Sequence, residues 1–395
     1  MNINVAVFFG GRSVEHEISI ISAVQAMGNI NREKYNVIPV YMTKSGEFYF
    51  DESFTDIEVF KTSGKAEKVG RRIAVTTKDG RGCLEFLDGT FRKKPILFDV
   101  AFPIVHGTNC EDGSLQGLFE SSGTPYVGCD VMSSALGMDK ALFKNVLAAN
   151  GLPVLAGVVC GARDWSLDRE SVIAKIEKEI GYPLIVKPTN LGSSIGISKV
   201  ESSQGLAAAL DLAFSFADRV LIEHAVTALR EINCSVLGDR NECEASELEE
   251  PVMHDKILSY DDKYKANAGK SGSKGMASLS RKLPADLPLE KAAEIKKIAT
   301  DTFKCIGAAG VVRIDFLMDG DDGDRVYVNE INTIPGSLSF YLWEATGLKY
   351  PELIDRLISL AFKRRRQREN LMFTIDTNIL NESSFGAKGS KGKIS

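Results

Sequence analysis

Two stretches near the C-terminus, GVVRIDFLM and RVYVNEIN, constrain this chain most. Each is rich in β-branched residues, and polar side chains recur at every second place, which is the period of a strand with one buried face. The alternation puts Arg313 with Asp315 on one face of the first strand, and Glu330 with Asn332 on one face of the second. Two antiparallel strands carrying two carboxylates and an amide oxygen offer hard oxygen ligands, suited to Mg²⁺ that carries nucleotide phosphates. The same pattern also fits a solvated face of a half-exposed sheet, with Asn332 only opening the NTIPG turn.

A chain of 395 residues exceeds the size at which one hydrophobic core stops growing, so two or three domains are expected. Its net charge of -5, without a long basic stripe, argues against a nucleic-acid surface and leaves room for a small anionic ligand. The opening MNINVAVFFGGRS lacks the cationic and apolar regions of a signal peptide. No stretch approaches the roughly 20 apolar residues that span a bilayer, so no membrane insertion is expected. Seven scattered cysteines without a CxxC pair read as reduced thiols of a cytoplasmic protein.

The run INVAVFF, a glycine turn and a helical pattern from Glu17 to Asn29 form a βα unit, so residues 1–135 are expected to be an N-terminal α/β domain. Residues 136–225 alternate helices with short strands around a hairpin, as in a compact α+β domain. Residues 226–364 carry strands at REINCSVLG, GVVRIDFLM and RVYVNEIN, with helices at 288–305 and 350–364. A Gly-, Ser- and Lys-rich stretch near 255–280 has the composition of a lid, and 365–395 that of a flexible tail.

Three further motifs carry candidate chemistry. In VKPTNLGSSIGISKV, Lys187 closes an apolar strand, where an ammonium is costly unless it meets an anion. Gly192 and Gly196 allow the close approach and positive φ of a phosphate-binding nest, although a plain hairpin turn has the same composition. In FFGGRSVEHEIS, Glu15 and Glu17 stand near a helix start, either as helix-end carboxylates or, for Glu15, as an anchor for a substrate ammonium. His106 lies in the glycine-bounded loop HGTNCEDGSLQG and has a structural and a functional reading.

Taken in order, FFGGRSVEHEIS, HGTNCEDGSLQG, GMDKALFK, IVKPTNLGSSIGISKV, DKY, RIDF and NEINTIPG resemble the motifs of D-alanine:D-alanine ligases in the ATP-grasp superfamily, over residues 3–364. The resemblance implies α/β and α+β layers in a three-domain ATP-grasp architecture, with an N-terminal open α/β (preATP-grasp) domain and ATP between the other two. It implies ATP as co-substrate and two Mg²⁺ or Mn²⁺ ions held by Asp315, Glu330 and Asn332. Lys140, Lys187, Ser193 and Ser194 would meet the phosphates, and Glu223, Val226 and Glu231 the adenosine. Glu15, Ser193 and Tyr264 would form a hydrogen-bonded set at the first D-alanine. His106, Lys263, Gly336 and Ser339 would complete the substrate site, with Arg313 beside the oxyanion. Small molecules, D-alanine and ATP, are the implied partners, together with a second copy in a homodimer. The implied product is D-alanyl-D-alanine for peptidoglycan precursors.

Three features depart from the family pattern. Cys110 replaces an expected glycine before EDG. The segment SLSFYLWEATG after Gly336 is short, which leaves Ser339 as the serine nearest the second substrate. A basic cluster, Lys363, Arg364, Arg365, Arg366 and Arg368, is expected to end a solvated helix. By the same resemblance, Tyr264 in DKY, where ester-forming relatives carry a histidine, favours an amino-acid acceptor over D-lactate; D-serine as acceptor, or another ATP-grasp carboxylate–amine ligase, stays open as an alternative.

Overall fold

The computed structural model describes residues 2–88, 94–192, 194–251 and 281–373. Ser193, Lys263, Tyr264, the whole of the expected lid near 255–280 and the tail beyond 373 lie outside the described residues.

Among the described residues three sheets carry the chain, and each takes a contiguous stretch of sequence. The first contains β1 (Ile3–Gly10), β2 (Tyr35–Met42), β3 (Phe48–Phe50), β4 (Arg71–Lys78), β5 (Arg81–Phe86), β6 (Ile96–Phe98) and β7 (Val100–Val105). Its order is β6-β5-β4-β3-β2-β1-β7. β1 pairs in parallel with β2 and β7, and the remaining pairs are antiparallel. The expected α/β unit is therefore the parallel end of a wider sheet. Helix His16–Asn29 follows β1, and it is stitched to the strand ends where Ser19 Oγ accepts from Gly10 N (2.8 Å) and donates to Ile104 O (2.6 Å).

The second sheet is β8 (Gly157–Gly161), β9 (Leu184–Pro188), β10 (Ser198–Val200) and β11 (Arg219–His224), in the order β10-β9-β11-β8. The third is β12 (Leu229–Gly238), β13 (Cys243–Pro251), β14 (Arg281–Lys282), β15 (Gly310–Asp319) and β16 (Arg325–Asn332), in the order β14-β13-β12-β15-β16. Both are antiparallel throughout, so one face of each can be apolar and the other polar.

Core membership crosses the order of the chain. Helix Lys140–Ala149 packs Phe143 and Leu147 against Ile232, Ile314 and Phe316 of the third sheet. The last helix, Tyr350–Arg368, buries Leu353, Ile354, Leu357 and Ile358 in the same core as β1 and β7. That docking corrects the expectation for the basic cluster. Arg364 donates to Gly128 O (2.7 Å) and Tyr126 O (2.6 Å) with its guanidinium 4.1 Å from the Tyr126 ring centre, and Lys363 pairs with Asp239 at 2.7 Å. Arg368 pairs with Glu120. These cations tie the helix to neighbouring elements instead of simply facing solvent.

Candidate active site

The polar face of the third sheet follows from its register. β15 sets Arg313 opposite Asn332 and Asp315 opposite Glu330, and β12 sets Asn233 opposite Asp315 and Glu231 opposite Leu317. Directly opposed residues share a face, so Arg313, Asp315, Glu330, Asn332, Asn233 and Glu231 stand on one side. Ile232, Cys234, Val312, Ile314 and Phe316 fill the core on the other. A bulge after Asp315 leaves Asn329 as the extra residue of β16. Bulges redirect side chains, and Asn329 Oδ1 accepts from Lys187 Nζ at 3.1 Å, across to the second sheet.

Charges on this face are paired. Arg313 forks onto Asp315 (Nε to Oδ1 2.6 Å, Nη2 to Oδ2 2.7 Å), and Asn332 Nδ2 donates to Asp315 Oδ2 at 3.1 Å. Burial works against the Arg313 charge, but the Asp315 carboxylate more than offsets it and holds the guanidinium well above its ordinary pKa. Next to this pair, Glu249 accepts from Asn233 (3.0 Å), Tyr341 Oη (2.7 Å) and Arg281 (2.7 Å), and Arg281 lies 4.0 Å from the Tyr341 ring centre.

On the second sheet Lys187 and Glu223 share the face opposite to the core residues Val186, Val220 and Ile222. The anion that a lysine at this strand end requires is Glu223. Glu223 is buried between two ammoniums, Lys187 and Lys144, the latter reaching over from helix Lys140–Ala149. Burial opposes its ionisation, yet the two lysines overcome it and its pKa falls below the ordinary carboxylate value. Lys144 is pushed down to about 7 by burial despite the attraction of Glu223. Lys140 Nζ donates to Leu191 O (2.6 Å) and stands 3.2 Å from Glu330 Oε2, so it joins helix, loop and third sheet. Val226 lies in the short connection between β11 and β12.

The loop after β9 meets the first sheet at Glu15. A Cβ placed on Gly192 would come 3.0 Å from Glu15 Oε2, and one on Gly107 would come 2.8 Å from the same atom. The carboxylate is thus wedged between two glycines, and helix-end stabilisation alone does not account for that position. Among the described residues of this loop, Ser194 (59°) and Gly196 (74°) take positive φ. Gly192 is needed for the approach of Glu15.

His106 is buried and both ring nitrogens are engaged, Nδ1 with Ile334 O (2.8 Å) and Nε2 with Ser22 Oγ (2.9 Å). Burial drives its pKa down to about 4, so the ring is neutral. Ser22 Oγ also accepts from Ser337 N at 3.0 Å, which fixes the turn after Gly336. Ser337, Leu338 and Ser339 all take left-handed φ values, 50°, 56° and 50°. Consecutive non-glycine residues there store strain of about 1–3 kcal/mol each, a condition concentrated at functional sites. This tight turn lets the short segment enter helix Phe340–Thr346 at once and seat Trp343, whose Nε1 donates to Ser235 Oγ at 2.9 Å. Ser339 Oγ is buried and makes no hydrogen bond among the described residues.

Glu111 is a site residue that the motif reading passed over. It accepts from Ile334 N (2.8 Å), Gly107 N (3.2 Å) and Thr333 Oγ1 (3.3 Å). Burial, and then the nearby Glu15 charge, raise its pKa to about 7. Cys110 avoids the left-handed region, which Asn109 takes (φ 62°), and its thiol fills space beside Gly11, where a Cβ would lie 2.3 Å from Sγ. Substitution for the expected glycine is thereby accommodated.

Two family models now align with this geometry. One described as D-ala D-ala ligase N-terminus matches residues 4–129, and one described as D-ala D-ala ligase C-terminus matches residues 146–359. The chain belongs to the D-Ala-D-Ala ligase family. D-alanine--D-alanine ligases of Thermosipho melanesiensis and Caldicellulosiruptor bescii are 40% and 41% identical, covering 96% and 94% of this chain and 98% of each relative. Among solved structures, the D-alanine-D-alanine ligase from Coxiella burnetii superposes with a TM-score of 0.78 at 32% identity, covering 93% of this chain and 96% of that one. VanG D-Ala:D-Ser ligase from Enterococcus faecalis superposes with a TM-score of 0.75 at 32% identity, covering 91% of this chain and all of that one (100%). The sheets are therefore those of the ATP-grasp fold of this ligase family, with the polar faces of the second and third sheets bridged by Lys187–Asn329. Among the described residues no helix is long and apolar enough to cross a membrane.

Proposed function

We propose that the chain joins two D-alanines in an ATP-dependent reaction, giving D-alanyl-D-alanine for peptidoglycan precursors. The observation that carries this is the meeting of three elements in one place. Lys187 and Glu223 face the cleft from the second sheet, Lys140 bridges to Glu330 of the third, and the Glu15 carboxylate rests against Gly192 of the intervening loop.

In this reading Lys140 and Lys187 hold the ATP phosphates with Ser193 and Ser194, and Glu223, Val226 and Glu231 receive adenosine. Asp315, Glu330 and Asn332 supply hard oxygen donors to two Mg²⁺ or Mn²⁺ ions. The fit rests on two carboxylates and one amide, because no cluster of three or more His, Cys, Asp or Glu side chains suited to a metal occurs among the described residues. Ions held by these residues would offset charge on the transferring phosphoryl group.

Glu15 pairs with the ammonium of the first D-alanine and leaves its carboxylate aimed at the γ-phosphate. A P–O bond forms to that carboxylate as the bond to ADP breaks, which yields an acylphosphate. The amine of the second D-alanine then attacks the acyl carbon, the C–O bond to phosphate breaks, and the amine gives up a proton. Arg313 and the backbone around Gly336 offset charge on the tetrahedral oxygen, help that is typically worth several kcal/mol. Tyr264 and Lys263 close the site against water, which would otherwise hydrolyse the acylphosphate. Both ring nitrogens of His106 are occupied, so in this reading it positions the turn after Gly336 and does not itself grasp substrate.

A second reading takes D-serine as acceptor. What supports it is the buried Ser339 hydroxyl of the left-handed turn, which has no hydrogen-bond partner among the described residues. Phosphate release by purified protein with ATP, D-alanine and each acceptor tests both. Turnover with D-alanine alone is the expected result, and release with D-serine or D-lactate far above it would sink the main reading. A cytoplasmic homodimer joined through its N-terminal domains, residues 1–135, completes the proposal, and sedimentation velocity on the full chain tests the dimer.

A further inference from the structure

Lys144 has no part in the reaction just described, yet it occupies an unusual position. It belongs to helix Lys140–Ala149, is only 4% exposed, and aims its ammonium at Glu223 Oε1, while Lys187 takes Oε2. Its helix neighbours Phe143 and Leu147 pack into the core of the third sheet, so the same helix that grips that sheet reaches a carboxylate of the second. Burying a lysine is costly, and an apolar side chain at this place on the helix would pack without that cost.

The arrangement of charge suggests what the lysine does. Two lysines share one carboxylate, which leaves an excess positive charge beside it whenever both are protonated. A nucleotide phosphate that draws Lys187 away would balance that excess and uncover Glu223 Oε2. Lys144 would then be the remaining counter-charge for a carboxylate only 1% exposed. With it, Glu223 stays ionised and can only accept hydrogen bonds. Without it, a buried and uncompensated carboxylate takes up a proton and becomes a donor as well.

We infer that Lys144 is a positioning residue for nucleobase choice: it fixes Glu223 as an ionised, acceptor-only group, so that the site takes a 6-aminopurine and rejects a 6-oxopurine. The inference rests on the reading of Glu223 as an adenosine contact. A 6-amino group donates to such a carboxylate, whereas a 6-oxo group presents a lone pair to it. Lys187 contributes to the same carboxylate only until phosphate claims it.

The test compares kcat/KM for ATP with kcat/KM for ITP in the full chain, for wild type, Lys144→Met, Glu223→Gln and the double variant. The ATP-to-ITP ratio of Lys144→Met is expected to fall about tenfold, the size of one hydrogen bond to a charged group. Equal losses with both nucleotides would mean that Lys144 only supports packing, and would overturn the inference. An unchanged ratio in Glu223→Gln would instead overturn the adenosine reading of Glu223, so the two failures are distinguishable. Where Lys144→Met does not fold, the double variant removes both charges together and carries the test. Its ratio should equal that of Glu223→Gln alone, and a further fall would show that Lys144 acts independently of Glu223.

Discussion

The two ends of the proposed site are built from different interactions. At the end proposed to take the nucleotide, the lysines and carboxylates are paired with one another: Lys187 and Lys144 with Glu223, and Lys140 with Glu330. At the amino-acid end the hydrogen bonds are mostly neutral or backbone: His106 with Ile334 and Ser22, Glu111 with Gly107 and Ile334, and Ser22 with Ser337. Ion pairs can exchange partners when phosphates arrive, at little net cost in charge. The neutral contacts join helix His16–Asn29, the loop after β7 and the turn after β16, and breaking them separates pieces of the fold. One end is arranged to change partners and the other to hold its shape.

The largest expected effect tests the exchangeable end. Lys187→Met should lower kcat/KM for ATP by about 10² to 10³, the cost of losing one charged donor at a transferring group. Its effect on the melting temperature of the ligand-free protein should be small, because Glu223 keeps Lys144 as counter-ion. A large loss of stability with near-normal turnover would make Lys187 a structural cation and erase the contrast.

A smaller effect is expected at the other end. Ser22→Ala removes the oxygen that serves both His106 and Ser337, leaving buried polar atoms unpaired at a cost of about 1–3 kcal/mol of stability. The left-handed turn at 337–339 depends on that contact, so KM for D-alanine should rise while KM for ATP stays put. Denaturant unfolding and separate titrations of the two substrates measure this. A rise confined to ATP would contradict the division between the ends.

Legibility in the sequence followed the same division. Arg313, Asp315, Glu330 and Asn332 were readable because period-two alternation is a local property, and the antiparallel register confirms that they share a face. Lys187 was readable because a lysine closing an apolar run demands an anion. The identity of that anion was not, since Glu223 lies one strand away and meets Lys187 only through sheet pairing. Lys144 sits in GMDKALFK as an ordinary helix lysine, and only the packing of Phe143 and Leu147 turns it inward. Asn329 depends on a bulge, and Ser22 on contacts with residues far along the chain. Strands β3 to β6 escaped notice because they are short or, like RRIAVTTK, half polar, with a weak apolar period. The left-handed turn at Ser337, Leu338 and Ser339 contains no glycine to announce it.

The effect expected to be smallest in the wild-type chain concerns pH, and it separates two buried groups at the shape-holding end. His106 has a folded pKa of about 4 against an ordinary 6.5, so its neutral form favours folding: the contribution is complete above pH 6.5 and is lost as pH falls through 4. Glu111 has a folded pKa of about 7 against 4.5, so its protonated form favours folding: the contribution is complete below pH 4.5 and is lost as pH rises through 7. Between pH 4.5 and 6.5 the first group makes stability rise with pH and the second makes it fall, each by at most ~1.4 kcal/mol per pH unit. Their sum should leave wild type nearly flat across that window, with single variants exposing the slopes. His106→Gln should lose stability as pH rises from 4.5 to 7, and Glu111→Gln should gain it from 4 to 6.5. Urea unfolding at half-unit pH steps reads both. Two variants that keep the wild-type profile would mean that neither group is held neutral, and the amino-acid end would then be as ionic as the nucleotide end.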